Sequence, residues 1–153
     1  MSHDTHALFP FSERSRRLQA EVRRFVEEKI VLAEAEFQAH AADPATRWTI
    51  PPLLESLKVE ANAAGLWNLF LPGHSPSESA HGAGLSNLDY APIAELTGRS
   101  LFAPEIFNCS APDTGNMEVL LQFATPEQQA PWLPRLLAGE IRSAFAMTEP
   151  EVA

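Results

Sequence analysis

The chain holds 153 residues, 45% hydrophobic and 20% charged, a balance that excludes a disordered polypeptide and allows one packed domain. Twenty acidic against eleven basic residues give a formal charge of −9; nucleic acid and anionic membrane are disfavoured as partners, because both are bound through clustered cations. The single cysteine, Cys109, excludes an internal disulfide, and no Cys/His zinc spacing accompanies it.

Residues 1–11 read as a flexible arm. Asp4 and two histidines, with no long apolar run, do not make a secretory leader. No window reaches the roughly 20 apolar residues of a spanning helix, so the sequence reads as soluble and cytoplasmic. Ser12, followed by Glu13, is an N-cap for a long helix. Its apolar stripe runs through Val22, Val26, Ile30, Ala33 and Phe37, with Leu18 and Phe25 on the same broad face, and Asp43-Pro44 ends it.

Pro51-Pro52 opens a second helix with the stripe Leu54, Leu57, Ala61 and Ala64. Gly65 suits its C′ position, where positive φ is cheap for glycine, and Leu66 is the apolar partner of such a cap. The apolar run from Leu66 to Pro72 is too short for a helix and reads as a buried extended connector. Residues 73–84, rich in Gly and Ser, form a loop; His74 and His81 stand seven apart without Asp or Cys company, too few ligands for a metal.

A third helix starts near Ser86, with Asp89 as a weak capping-box partner, and runs to about Arg99. Pro92 lies inside it, so the helix either begins later or kinks. Residues 100–112 read as an irregular, mostly buried connection. Asp113 is the expected N-cap of a fourth helix carrying Met117, Leu120, Leu121 and Ala124. Thr125-Pro126-Glu127-Gln128 is a complete capping box for a fifth, which Pro131 and Pro134 divide into two short pieces ending at Gly139. Ile141–Met147 has the alternation of a nascent strand. The fold class is therefore all-α, about five helices, with one strand beginning at the C-terminal end.

The spacing alone names no catalytic residue. There is no GxGxxG, GxSxG or HExxH motif. Ser143 and Thr148 lack a base, since no histidine follows His81, and Glu149 and Glu151 read as a solvated pair. Cys109 reads as a small buried apolar residue.

Phe145-Ala146-Met147-Thr148-Glu149-Pro150 resembles the aromatic-x-x-Thr-Glu-Pro signature of the acyl-CoA dehydrogenases. Thr125-Pro126-Glu127-Gln128-Gln129, Trp132-Leu133-Pro134 and Leu137-Ala138-Gly139-Glu140-Ile141 are similar to that family's approach to its first β strand. The segments from Gly65 to Pro72, Gly84 to Asn87 and Asn108 to Asn116 resemble its branch acting on longer or 4-hydroxylated acyl-CoAs. Two positions depart from the pattern: Glu151 stands where many members have glycine, and Pro131 where relatives carry a charged helix former.

The resemblance implies an N-terminal helical domain over residues 12–140 and the start of a middle β domain over 141–153. It implies a larger enzyme, commonly a homo-oligomer, that holds FAD and acts on an acyl-CoA thioester, a glutamate taking the α-proton while hydride leaves the β-carbon. That glutamate belongs to the family's later domains, so the chain is expected to carry no catalytic base and to be inactive alone. Phe145, Ala146, Met147 and Thr148 are the implied cofactor-binding residues. Two readings compete with this one. In the first, Phe145 and Met147 simply pack a strand into the core of the isolated chain; in the second, the chain is a truncated, non-enzymatic paralogue acting as an interaction or acyl-binding module.

Overall fold

The computed structural model describes residues 10–73 and 81–152. Most of the expected flexible arm, and His74 of the histidine pair, lie outside those residues. The described residues are helical: α1 (Glu13–Phe25), a π-helical turn (Val26–Ile30), α2 (Val31–Ala42), α3 (Pro52–Ala63), α4 (Asn87–Thr97), α5 (Ala103–Ile106), α6 (Asp113–Phe123), α7 (Pro126–Gln129) and α8 (Leu133–Leu137).

The expected long helix is α1, the π turn and α2 in continuous helical backbone. Its apolar spacing explains the π turn. Leu18, Val22, Val26 and Ile30 are separated by steps of four, and each step overshoots an α-helical turn by about 40°. A straight α-helix would carry the stripe out of the core; one widened turn returns it, and all four side chains are buried. Ser12 caps the start, its Oγ accepting the Ser15 N–H at 3.1 Å.

α3 closes as its sequence predicts. Gly65 has φ +72°, the Gly65 N–H reaches Asn62 O and the Leu66 N–H reaches Ala61 O, both at 2.9 Å, which is a Schellman motif. The segment after it departs from expectation: residues 66–72 turn rather than extend, with Asn68 at φ 53°. Burial explains the turn, because Leu66, Leu69, Phe70 and Leu71 all reach the interior within six residues, which an alternating strand could not achieve.

α4 begins at Asn87 and runs through Pro92. Ser86 Oγ accepts the Asp89 N–H at 3.1 Å, but the Asp89 side chain does not complete a box. It accepts the Ser12 N–H at 2.8 Å instead, while the Asp89 carbonyl accepts from Ser15 Oγ at 2.7 Å. Asp113 also differs: Pro112 occupies the cap position of α6, and Asp113 is the first helical residue with its side chain turned elsewhere. Thr125 and Gln128 form the expected reciprocal box. Residues 141–147 form no strand among the described residues, because no neighbouring strand is there to take their ladder bonds.

α1 packs on α4, α3 on α5, and α6 on α8. The larger apolar core joins the inner faces of α1, the π turn, α2, α3 and α4 with Phe107, whose ring meets Phe25 edge-on at 5.4 Å. A smaller core gathers Phe70, Leu71, Met117, Leu133, Leu136 and Leu137. Tyr90 and Cys109 pack against both, forming the seam.

Candidate functional site

The aromatic-x-x-Thr run is positioned by the smaller half of the molecule. α8 ends in a second Schellman motif: Gly139 has φ +71°, its N–H reaches Leu136 O, and the Glu140 N–H reaches Arg135 O, each at 2.9 Å. A side chain at residue 139 would have its Cβ 2.7 Å from Trp67 Cζ2, so glycine is required on two grounds.

The carbonyls at this helix end would be orphaned without partners. Trp67 Nε1 donates to Leu137 O at 2.8 Å and Asn68 Nδ2 to the same oxygen at 3.0 Å. Asn108 Nδ2 donates to Leu136 O at 3.0 Å and to Asn68 Oδ1 at 2.7 Å. Both asparagines are buried, and both hold left-handed backbone, φ 53° and 52°. Asparagine tolerates that conformation and brings an amide with it. The Asn68 N–H also reaches Phe107 O at 3.1 Å, which ties this network to the larger core. The buried Lys58 donates to Glu55 at 2.8 Å and to Gly139 O at 3.4 Å.

Beyond Gly139 the chain is pinned again. The Asp113 carboxylate is buried and accepts both the Ser143 N–H and Ser143 Oγ at 2.6 Å. Arg142 pairs with Glu105 of α5. An apolar groove of about 420 Å³ lies beside this segment, with Val119, Leu120, Trp132, Leu136 and Ile141 in its walls.

After Ser143 the chain faces outward. Phe145 is 56% exposed and Met147 79%, and Ala146 and Thr148 are exposed too. The two large side chains therefore do not pack into the core, which corrects that expectation; among the described residues no second layer covers them. The ring of Phe145 rests near Gly115 at the start of α6, with Cζ 3.7 Å from where a Cβ on that glycine would stand. Among the described residues no backbone hydrogen bond reaches 144–148. The run thus presents two large apolar side chains and one hydroxyl to solvent.

Cys109 sits at the seam, partly buried, with Sγ donating to Phe107 O at 3.2 Å. Burial pushes its thiol up to about 11, against hydrogen bonds from the 69–70 backbone and Tyr90 that oppose the shift; burial pushes the Tyr90 phenol up as well. A thiol held protonated is a poor nucleophile, in keeping with an apolar packing role. Among the described residues no cluster of three His, Cys, Asp or Glu could hold a metal, and no helix is long and apolar enough to cross a membrane.

Residues 145–148 were visible in the sequence as a motif, whereas Asn68, Asn108, Asp113 and Ser143 carried no sign of acting together. Their pairings join positions 40, 69 and 30 residues apart. The one available hint was asparagine beside short apolar runs, a residue type that accepts left-handed backbone.

Comparison with known proteins gives the arrangement a family. The model of the acyl-CoA dehydrogenase N-terminal domain matches residues 12–140. Acyl-CoA dehydrogenase family member 10 of Mus musculus is 55% identical over 138 residues, 90% of this chain and 13% of that protein. Family member 11 of Gallus gallus is 48% identical over 157 residues, 100% of this chain and 19% of that protein. A solved structure of a candidate acyl-CoA dehydrogenase from Mycobacterium abscessus superposes with a TM-score of 0.83 at 50% identity, covering 95% of this chain and 36% of the other. The chain thus spans well under half the length of each of these relatives. With its helical domain matched in sequence and in structure, the chain belongs to the acyl-CoA dehydrogenase family.

Proposed function

We propose that this chain is the amino-terminal part of an FAD-dependent enzyme that desaturates acyl-CoA thioesters between the α and β carbons. In this reading residues 12–140 are its helical domain and 141–153 the entry to its middle domain. Phe145, Ala146, Met147 and Thr148 border the flavin ring, Phe145 and Met147 as apolar walls and Thr148 through its hydroxyl and amide. FAD, when bound, supplies the hydride acceptor. The residues of this chain contribute placement and exclusion of water, which count because hydride transfer needs donor and acceptor held in line. The base that takes the α-proton lies outside this chain, so the chain alone is inactive, and the complete enzyme is a homo-oligomer.

The observation that carries this reading is the outward presentation of Phe145 and Met147 on a run whose approach is rigidly pinned. Side chains that served only the core would be inside it. The test is a chimera in which this chain replaces the matching segment of the Mycobacterium abscessus relative. The chimera should leave gel filtration with bound flavin, read by its visible absorbance, while the 153-residue chain leaves it colourless. A folded chimera without flavin, beside a flavin-loaded parent treated alike, overturns the reading. Acyl-CoA binding by the chain without any flavin in the chimera would favour an acyl-binding module instead.

A further inference from the structure

Asp113 occupies the first position of α6 and is 4% exposed. A carboxylate removed from water is costly unless donors surround it. These donors come from 30 residues downstream. The Ser143 N–H and Ser143 Oγ both donate to Oδ1 at 2.6 Å, and Arg142 Nε stands 3.9 Å from Oδ2. The amino end of α6 also favours a negative charge.

The serine hydroxyl is itself directed. Asn116 Nδ2 donates to Ser143 Oγ at 2.8 Å, which leaves the hydroxyl proton for the carboxylate. Asn116 amide, Ser143 hydroxyl and Asp113 carboxylate form a one-way chain of donors, each link polarising the next. Ser143 is therefore held by backbone and side chain together, which a single side-chain contact would not accomplish. Two residues later, the Phe145 ring lies beside the first turn of the same helix, its Cζ 3.7 Å from where a Cβ on Gly115 would stand.

We propose that Asp113 is a positioning residue for the cofactor-facing run: by gripping Ser143 at its amide and its hydroxyl, it fixes where Phe145, Met147 and Thr148 stand. The role rests on the flavin reading above. Asp113 acts only through Ser143 and touches no reacting group.

The experiment compares D113A, D113N and S143A in two settings. In the 153-residue chain, NMR reads exchange of the Ser143 amide and the contact between the Phe145 ring and the Gly115 α-protons. D113A should speed Ser143 exchange about tenfold or more and abolish the ring contact, while the Val22, Val26 and Ile30 amides keep their protection. D113N retains an acceptor oxygen and should restore part of the protection. S143A keeps the amide contact and should change least. If D113A fails to fold, the order of D113N and S143A against the unaltered chain carries the test.

In the chimera, FAD dissociation constants should follow the same order, weakest in D113A by about tenfold. Unchanged Ser143 exchange in a folded D113A chain overturns the inference. Faster exchange with unchanged FAD affinity overturns the positioning role and leaves the flavin reading standing. A chimera that binds no flavin in any form overturns the flavin reading, whatever the exchange data say of the grip on Ser143.

Discussion

The two cores of this molecule are held by different forces. Around the α1–π–α2 rod, cohesion comes from wide apolar contact among Val22, Val26, Ile30, Phe37 and Phe107. Around α6 and α8 the apolar cluster is small, and directed hydrogen bonds donated by Trp67, Asn68 and Asn108 and accepted by Asp113 fix the elements instead. Apolar burial is strong but indifferent to small shifts, whereas hydrogen bonds fail within a fraction of an ångström. The half that carries the outward-facing run is thus the half whose geometry is tightly specified.

Four experiments can break or sharpen this contrast. The largest effect is expected from Phe107→Ala in the apolar half. Its fully buried ring contacts Phe25, and truncation should cost about 3–5 kcal/mol in denaturant unfolding. A loss below about 1 kcal/mol would mean that burial does not hold this half together.

Gly139→Ala and Gly65→Ala come next, as a pair. Both glycines have φ near +70°, but a Cβ at residue 65 meets nothing within 4 Å while one at 139 meets the Trp67 ring at 2.7 Å. Gly65→Ala should cost about 1–2 kcal/mol of backbone strain. Gly139→Ala should add about 1–3 kcal/mol of overpacking and shift Trp67 fluorescence. Equal costs for the two would show that Trp67 yields freely and that the smaller half is looser than described.

Asn68→Gly keeps the left-handed backbone accessible and removes the amide. It should cost about 1–3 kcal/mol. Amide exchange should accelerate over 133–139 but not over 22–30, and uniform acceleration would erase the distinction between the halves.

The smallest effect concerns the seam. Cys109 is raised from an ordinary 9.0 to about 11, so between those values the unfolded chain sheds a proton that the folded chain keeps. Fewer bound protons in the unfolded state make stability fall as pH rises from about 9 to about 11, with nothing lost below 9. Cys109→Ala should remove that component of the alkaline slope. In the native chain, alkylation at pH 8 should be much slower than after unfolding.

Local order was legible in the sequence. The Thr125 box, Gly65 and Gly139 announced their helix ends because capping is decided within four or five residues. The π turn was not legible: the successive steps of four from Leu18 to Ile30 read as plain helix, and only packing against the core shows where the widened turn falls. The two aspartates were misleading for a common reason. Asp89 and Asp113 occupy positions where local capping is the default, and each takes a partner 77 or 30 residues away instead. Composition and spacing cannot reveal which distant donor will win that competition. The motif at 145–148 was legible as a family likeness, but its outward exposure and the grip on Ser143 belong to the folded arrangement.

Asp89 has a consequence for synthesis on the ribosome. It receives the Ser12 amide with its carboxylate and the Ser15 hydroxyl with its carbonyl, while its own amide goes to Ser86. One residue thus seals the opening turns of two helices, its partner Ser12 standing 77 positions away. At about 5–20 residues per second, the nascent rod waits roughly 4–15 s for that seal to be translated. Until then the leading turn of the rod has its local Ser12 cap but not that long-range seal.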